Sequence, residues 1–175
     1  MITNNSVRVA VVMGSDSDLP QMEGCIDTLK NLGIPFDVRV LSAHRTPNST
    51  AAFAKDSEGT YSLFIAAAGG AAHLAGAIAA NTTSPVIGIP LSCPPFNGID
   101  SLFATVQMPP GVPVATVSAG KWGGINAAIL ACQILSISNP VFGKTMKDYK
   151  IAIARKAFDK DERLQKKIKN DEILL

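Results

Sequence analysis

The chain has 175 residues, 47% of them hydrophobic, with 16 basic and 14 acidic groups and a formal charge of +2. That length predicts one domain, residues 1–175, whose core needs neither disulfides nor a structural metal. The near-neutral balance gives no case for nucleic acid or an anionic membrane surface.

Residues 7–13 (VRVAVVM) are a β-rich apolar run, followed by the turn GSDSD and a helix over residues 19–32. Pro20 suits the first helical turn, and Asp18 or Ser17 is placed to cap it. Gly33 ends that helix, and Pro35 starts the next segment. A second strand covers residues 36–41, then SAHRTP leads into a helix capped by Thr46 with Pro47 at its first position. Residues 62–67 form a third strand, followed by AGGAAHLAG and an Ala-rich helix to about Ala80. A short apolar strand spans 85–89, and Asp100 is placed to cap a helix toward Gln107. Residues 112–117 form a fifth strand, 124–135 an Ala-rich helix, and a long charged helix follows Pro140. Apolar strands alternating with helices predict a three-layer α/β domain around five parallel strands covered on both faces. In such sheets ligands bind beyond the carboxyl ends of the strands.

The chemically unusual segments fall at those ends. In GSDSD, Gly14 permits a sharp turn, and Ser15, Ser17 and Asp18 lie where a helix N-terminus favours an anion or sugar hydroxyl. The spacing is neither a Walker loop nor a nucleophile elbow, and plain helix capping is the competing reading. In SAHRTP a basic, hydroxylated segment stands where a dinucleotide fold has its ribose-binding acid. That points to a phosphate held by Ser42 and Arg45, with His44 among them as an acid or base. In the third segment Gly69 and Gly70 allow close approach of a ligand to backbone, and His73 is the chain's other histidine. The loop SCPPFNG lies beside the site. The segment SAGKWGGIN, with the only Trp, lines either the pocket or an interface. Two histidines 29 residues apart with no ligand-spaced partner make no metal site. Cys25, Cys93 and Cys132 form no CxxC pair and are expected reduced; Cys93, in a loop, is the one to test for reactivity.

Charge is unevenly spread. Residues 59–143 hold only Asp100 and Lys121, whereas residues 144–175 hold ten Lys/Arg and six Asp/Glu. A charge-poor half suggests a surface that meets protein. Membrane is the alternative, but Gly, Pro, Ser, Thr and Asn break every apolar run before the roughly 20 residues that a spanning helix needs. MITNNS lacks the features of a signal peptide, so a cytoplasmic protein is expected.

In order along the chain, GSDSD, VLSAHRTP, AAAGGAAHLAG, SPVIGIPL, GIDSLFATVQMPPGVPVATV and NAAILACQIL resemble one family. It is the N5-carboxyaminoimidazole ribonucleotide mutases, the class I catalytic subunits of phosphoribosylaminoimidazole carboxylase in de novo purine biosynthesis. The resemblance covers about residues 7–140. It implies a flavodoxin-like domain assembled as a homo-octamer, with the helix over about 141–170 packing on a neighbouring subunit. It implies no metal or organic cofactor, with the ATP-dependent synthetase that makes the substrate as functional neighbour. It also implies His44 as general acid/base. Gly14, Ser15, Ser17, Asp18, Ser42 and Arg45 would bind ribose and phosphate, and Gly69, Gly70, Ala71, His73 and Leu74 the imidazole and carboxylate end. Ala75, Leu19 and SCPPFNG depart from the family pattern and bear on loop shape. A direct carboxylase using carbon dioxide is the enzymatic alternative, disfavoured because Arg45 and His73 are both present. A non-catalytic nucleotide-binding module is the alternative outside enzymes.

Overall fold

The computed structural model describes residues 7–169; the outer residues of the expected 1–175 domain lie outside it. In chain order the elements are β1 (Val9–Met13), a 3-10 turn (Asp16–Asp18), α1 (Leu19–Asn31), β2 (Phe36–Val40), α2 (Pro47–Asp56) and β3 (Leu63–Gly69). Then follow α3 (Leu74–Ala79), β4 (Val86–Leu91), α4 (Ile99–Val106), β5 (Ala115–Thr116), α5 (Gly120–Ser136) and α6 (Pro140–Lys169). The five strands pair in parallel in the order β2-β1-β3-β4-β5, which with helices on both faces is the flavodoxin-like three-layer arrangement.

Side-chain alternation along the strands builds two cores. Val9, Val11 and Met13 of β1, with Leu63, Ile65 and Ala67 of β3, pack against Met22, Cys25 and Leu29 of α1 and the alanines of α5. Phe142 and Met146 of α6 extend that layer. Ala10, Val12, Phe64, Ala66 and Val86 face the other way, onto Ala54 of α2 and Leu74, Ala75 and Ile78 of α3. On this face Gly88 of β4 lets α4 come close: a Cβ there would lie 2.5 Å from Thr105 Cγ2 and 2.7 Å from Val114 Cγ1.

Several predicted details differ. The cap ahead of α1 is Ser15, whose side chain accepts from the Ser17 N–H, while the Asp18 carboxylate reaches back to the Ser15 N–H at 2.9 Å. This capping box closes the 3-10 turn, so Asp18, although it occupies the N-cap position of α1, makes no side-chain cap bond there. Thr46 precedes α2, but its hydroxyl accepts from the Ser42 N–H and donates to the Ser42 carbonyl, tightening SAHRTP instead of capping. Gly98 at φ 93° takes the cap position of α4, which leaves Asp100 inside the first turn. The fifth strand shrinks to two paired residues because Pro113 carries no N–H to donate. Helix α5 starts at Gly120 rather than Gly124, its glycines packed against Ser118 and α1.

Candidate active site

Strand lengths set the pocket floor. Strand β3 continues through Ala68 and Gly69, paired with Pro90 and Leu91 of β4, and so runs past its predicted end. Beyond these strand ends lies a cleft of about 460 Å³. From the β1 end it is lined by Gly14, Ser15 and Asp18, and from the β2 end by Ser42, Ala43, His44 and Arg45. From β3 come Ala68, Gly69, Gly70, Ala72, His73 and Leu74, and from the loop after β4 comes Cys93. Ten of the predicted site residues therefore share one cleft, whereas Ser17 and Ala71 are not in its lining. The Ser17 hydroxyl donates instead to Ser15 Oγ at 2.8 Å. Ala71 lies in the turn that the Ala72 N–H closes onto the Gly69 carbonyl.

The two histidines meet. His44 Nε2 lies 2.7 Å from His73 Nδ1, with ring centroids 4.8 Å apart and planes at 78°. At that distance one ring donates a proton and the other accepts it. Two segments that are separate in sequence thus share one proton-carrying line at the cleft.

Arg45 is held where an anion can reach it. Its backbone N–H donates to Ser42 Oγ at 3.1 Å, its Nε to the same oxygen at 3.3 Å, and its Nη2 to the Gly14 carbonyl at 3.0 Å. The guanidinium thereby bridges the ends of β1 and β2 and stays exposed. Burial pushes the Asp18 carboxyl above its ordinary 3.8. The backbone N–H groups of Ser15 and Gly14 and the charge of Arg45 pull it down, but less strongly. Hydroxyls, a carboxylate and a guanidinium, with paired imidazoles and open glycine backbone in the same cleft, suit a small phosphorylated sugar carrying a heterocycle.

Cys93, which the sequence marks for reactivity but not as a site residue, lines the cleft; the signal for it is its place after an apolar strand. Its sulfur would lie 3.3 Å from a Cβ on Gly69, so the bare backbone of Gly69 makes room for it. Cys25 and Cys132 are buried and unpaired, and burial pushes the Cys25 thiol up to about 12. Lys121 and Trp122 stand at the start of α5 outside the cleft lining, and Trp122 is 79% exposed. Among the described residues no group of three or more His, Cys, Asp or Glu is placed to hold a metal, and no helix is long and apolar enough to cross a membrane.

Residues 8–156 match the family described as AIR carboxylase. A Thermotoga maritima protein named N5-carboxyaminoimidazole ribonucleotide mutase is 46% identical over 90% of this chain and 92% of its own. The protein of that name from Escherichia coli K12 is 46% identical over 85% of this chain and 89% of its own. The crystal structure of Treponema denticola PurE superposes with a TM-score of 0.81 at 29% identity, covering 90% of this chain and 98% of that one.

Proposed function

The chain belongs to the AIR carboxylase family, and from that premise we propose that it is an N5-carboxyaminoimidazole ribonucleotide mutase of purine biosynthesis. It moves the substrate's carboxylate from the exocyclic nitrogen to a ring carbon. The relatives that share 46% identity over most of both chains carry that name. The observation that carries the reading at this site is the imidazole pair, 2.7 Å apart, in the cleft that Arg45 also lines.

In this reading Arg45 and the hydroxyls of Ser15 and Ser42 hold the phosphate, and Asp18 accepts from the ribose. Gly14 and Ser17 shape that loop. Gly69 and Gly70 offer backbone to the carboxylate and imidazole, with Ala71, His73 and Leu74 around them. His44 donates a proton to the exocyclic nitrogen as its bond to the carboxylate carbon breaks, releasing carbon dioxide inside the pocket. The ring carbon then attacks the carbon dioxide, and His44 recovers a proton from that carbon, so the enzyme ends as it began. Confinement holds the reactants together, through proximity and exclusion of water.

The assembly belongs to the same reading: a homo-octamer in the cytoplasm, working beside the ATP-dependent synthetase that makes its substrate. Residues 7–140 form the core of one domain, and α6 packs on a neighbouring subunit. Its support is apolar surface in the charge-poor stretch, where Ile99 and Phe103 of α4 are 62% and 65% exposed. Ile151 and Phe158 of α6 are likewise exposed.

The test supplies the labile carboxyamino nucleotide without ATP and follows the ring-carboxylated product. Conversion above the spontaneous rate is expected. Efficient turnover of aminoimidazole ribonucleotide at low bicarbonate instead would identify a direct carboxylase, and no product from either substrate would leave only a binding module.

A further inference from the structure

We propose that Gln21 is a positioning residue of this site, clamping the 92–98 loop to α1 and so holding Cys93 in the pocket wall. The Gln21 amide Nε2 donates to the Ser92 carbonyl at 2.9 Å, and the Ser92 N–H donates to Gln21 Oε1 at 3.0 Å. A primary amide is suited to this, because its acceptor and donors lie side by side and match the N–H and C=O of one residue. Among the described residues these two bonds are the hydrogen bonds between that loop and α1.

The loop is otherwise tied to itself and to α4. The Asn97 N–H donates to the Cys93 carbonyl, and the buried Ser101 hydroxyl engages the carbonyls of Leu91 and Gly98 at 2.7 and 3.0 Å. It therefore moves as a unit, and Gln21 fixes the edge nearest α1. Three residues earlier on the same stretch of chain, Asp18 also lines the cleft. Gln21 thus ties the segment that carries Cys93 to the one that carries Asp18. Releasing it opens the cleft beside Gly69, where the preceding reading, on which the kinetic part of this inference rests, keeps carbon dioxide confined.

The experiment alkylates the full chain with iodoacetamide and follows each cysteine by peptide mass spectrometry. Cys25 and Cys132 are buried and report global unfolding, while half-buried Cys93 reports the loop. In Gln21→Leu, loss of two exposed hydrogen bonds is expected to speed alkylation of Cys93 about five- to tenfold, with the other two rates unchanged. Gln21→Glu keeps the acceptor for the Ser92 N–H and gives an intermediate rate, and it reads the proposal if the leucine variant does not fold. A second arm measures the share of consumed substrate that leaves as decarboxylated aminoimidazole ribonucleotide, corrected for spontaneous loss. A less stable enzyme lowers total rate without changing that share; an opened wall raises it. An unchanged Cys93 rate in folded variants, or parallel acceleration of all three cysteines, overturns the proposal. If the wild-type enzyme makes no product, the mutase reading fails, while the thiol arm still reads the clamp.

Discussion

Replacing Arg45 by methionine keeps most of the aliphatic reach of the side chain and removes the guanidinium. Two side-chain hydrogen bonds go with it, to the Gly14 carbonyl at 3.0 Å and Ser42 Oγ at 3.3 Å, both exposed. Exposed bonds contribute little, so the stability loss should be about 1 kcal/mol or less. A charge-assisted bond to phosphate contributes about 1.5–3 kcal/mol, which is a loss of about 10- to 150-fold in affinity. Calorimetry with the ring-carboxylated nucleotide and with its dephosphorylated riboside separates the two effects. The nucleotide should weaken by that factor and the riboside hardly at all. Raising salt should weaken wild-type nucleotide binding and flatten in the variant, because the charge being screened is gone. Equal weakening of both ligands would mean that Arg45 only braces the β1 and β2 ends, and the phosphate assignment would be refuted.

Gly88→Ala should cost about 1–3 kcal/mol by overpacking, and Thr105→Ser about 0.8 kcal/mol for its lost methyl. The double variant should cost less than their sum in urea unfolding, because the serine removes the Cγ2 that lies 2.5 Å from the new Cβ; strict additivity would contradict the close approach of α4. Hydrogen bonds from Arg8 and Tyr61 hold the Asp37 carboxyl below its ordinary 3.8. A lowered folded-state value contributes stability above the unfolded value that is lost as pH falls through the folded one. Asp37→Asn should therefore flatten the stability profile below about pH 4, and an unaltered acid limb would dismiss that pairing. Phe103→Asp on α4 should lower the light-scattering mass toward the 18.3 kDa of one chain with circular dichroism unchanged; a wild-type chain that already runs as a monomer would refute the assembly.

Much of the fold was legible because periodicity and punctuation agreed. Pro47 opens α2 and Gly33 follows the end of α1 at φ 68°, both as local chemistry dictates. The strands are marked by apolar runs, and the cleft falls where a parallel sheet puts it. What was missed depends on distant partners. The start of α5 was hidden because Gly120, Gly123 and Gly124 are poor helix formers; packing overrides them, since a Cβ on Gly124 would sit 3.3 Å from Cys25 of α1. Asp18 looked like a helix cap, but its carboxylate turns back to Ser15. No local pattern announced the Gln21–Ser92 pair, whose members are 71 residues apart. The approach of His44 and His73 was likewise suggested only by their both following strands, and the 2.7 Å contact depends on β1 lying between β2 and β3.

The most direct test of the confined transfer uses substrate labelled with carbon-13 in its nitrogen-bound carboxylate, turned over in excess unlabelled carbon dioxide and bicarbonate. If the cleft holds the released carbon dioxide until the ring carbon takes it, the product carries the label at nearly the enrichment of the substrate. Product enriched only to the level of the bulk pool would contradict the account.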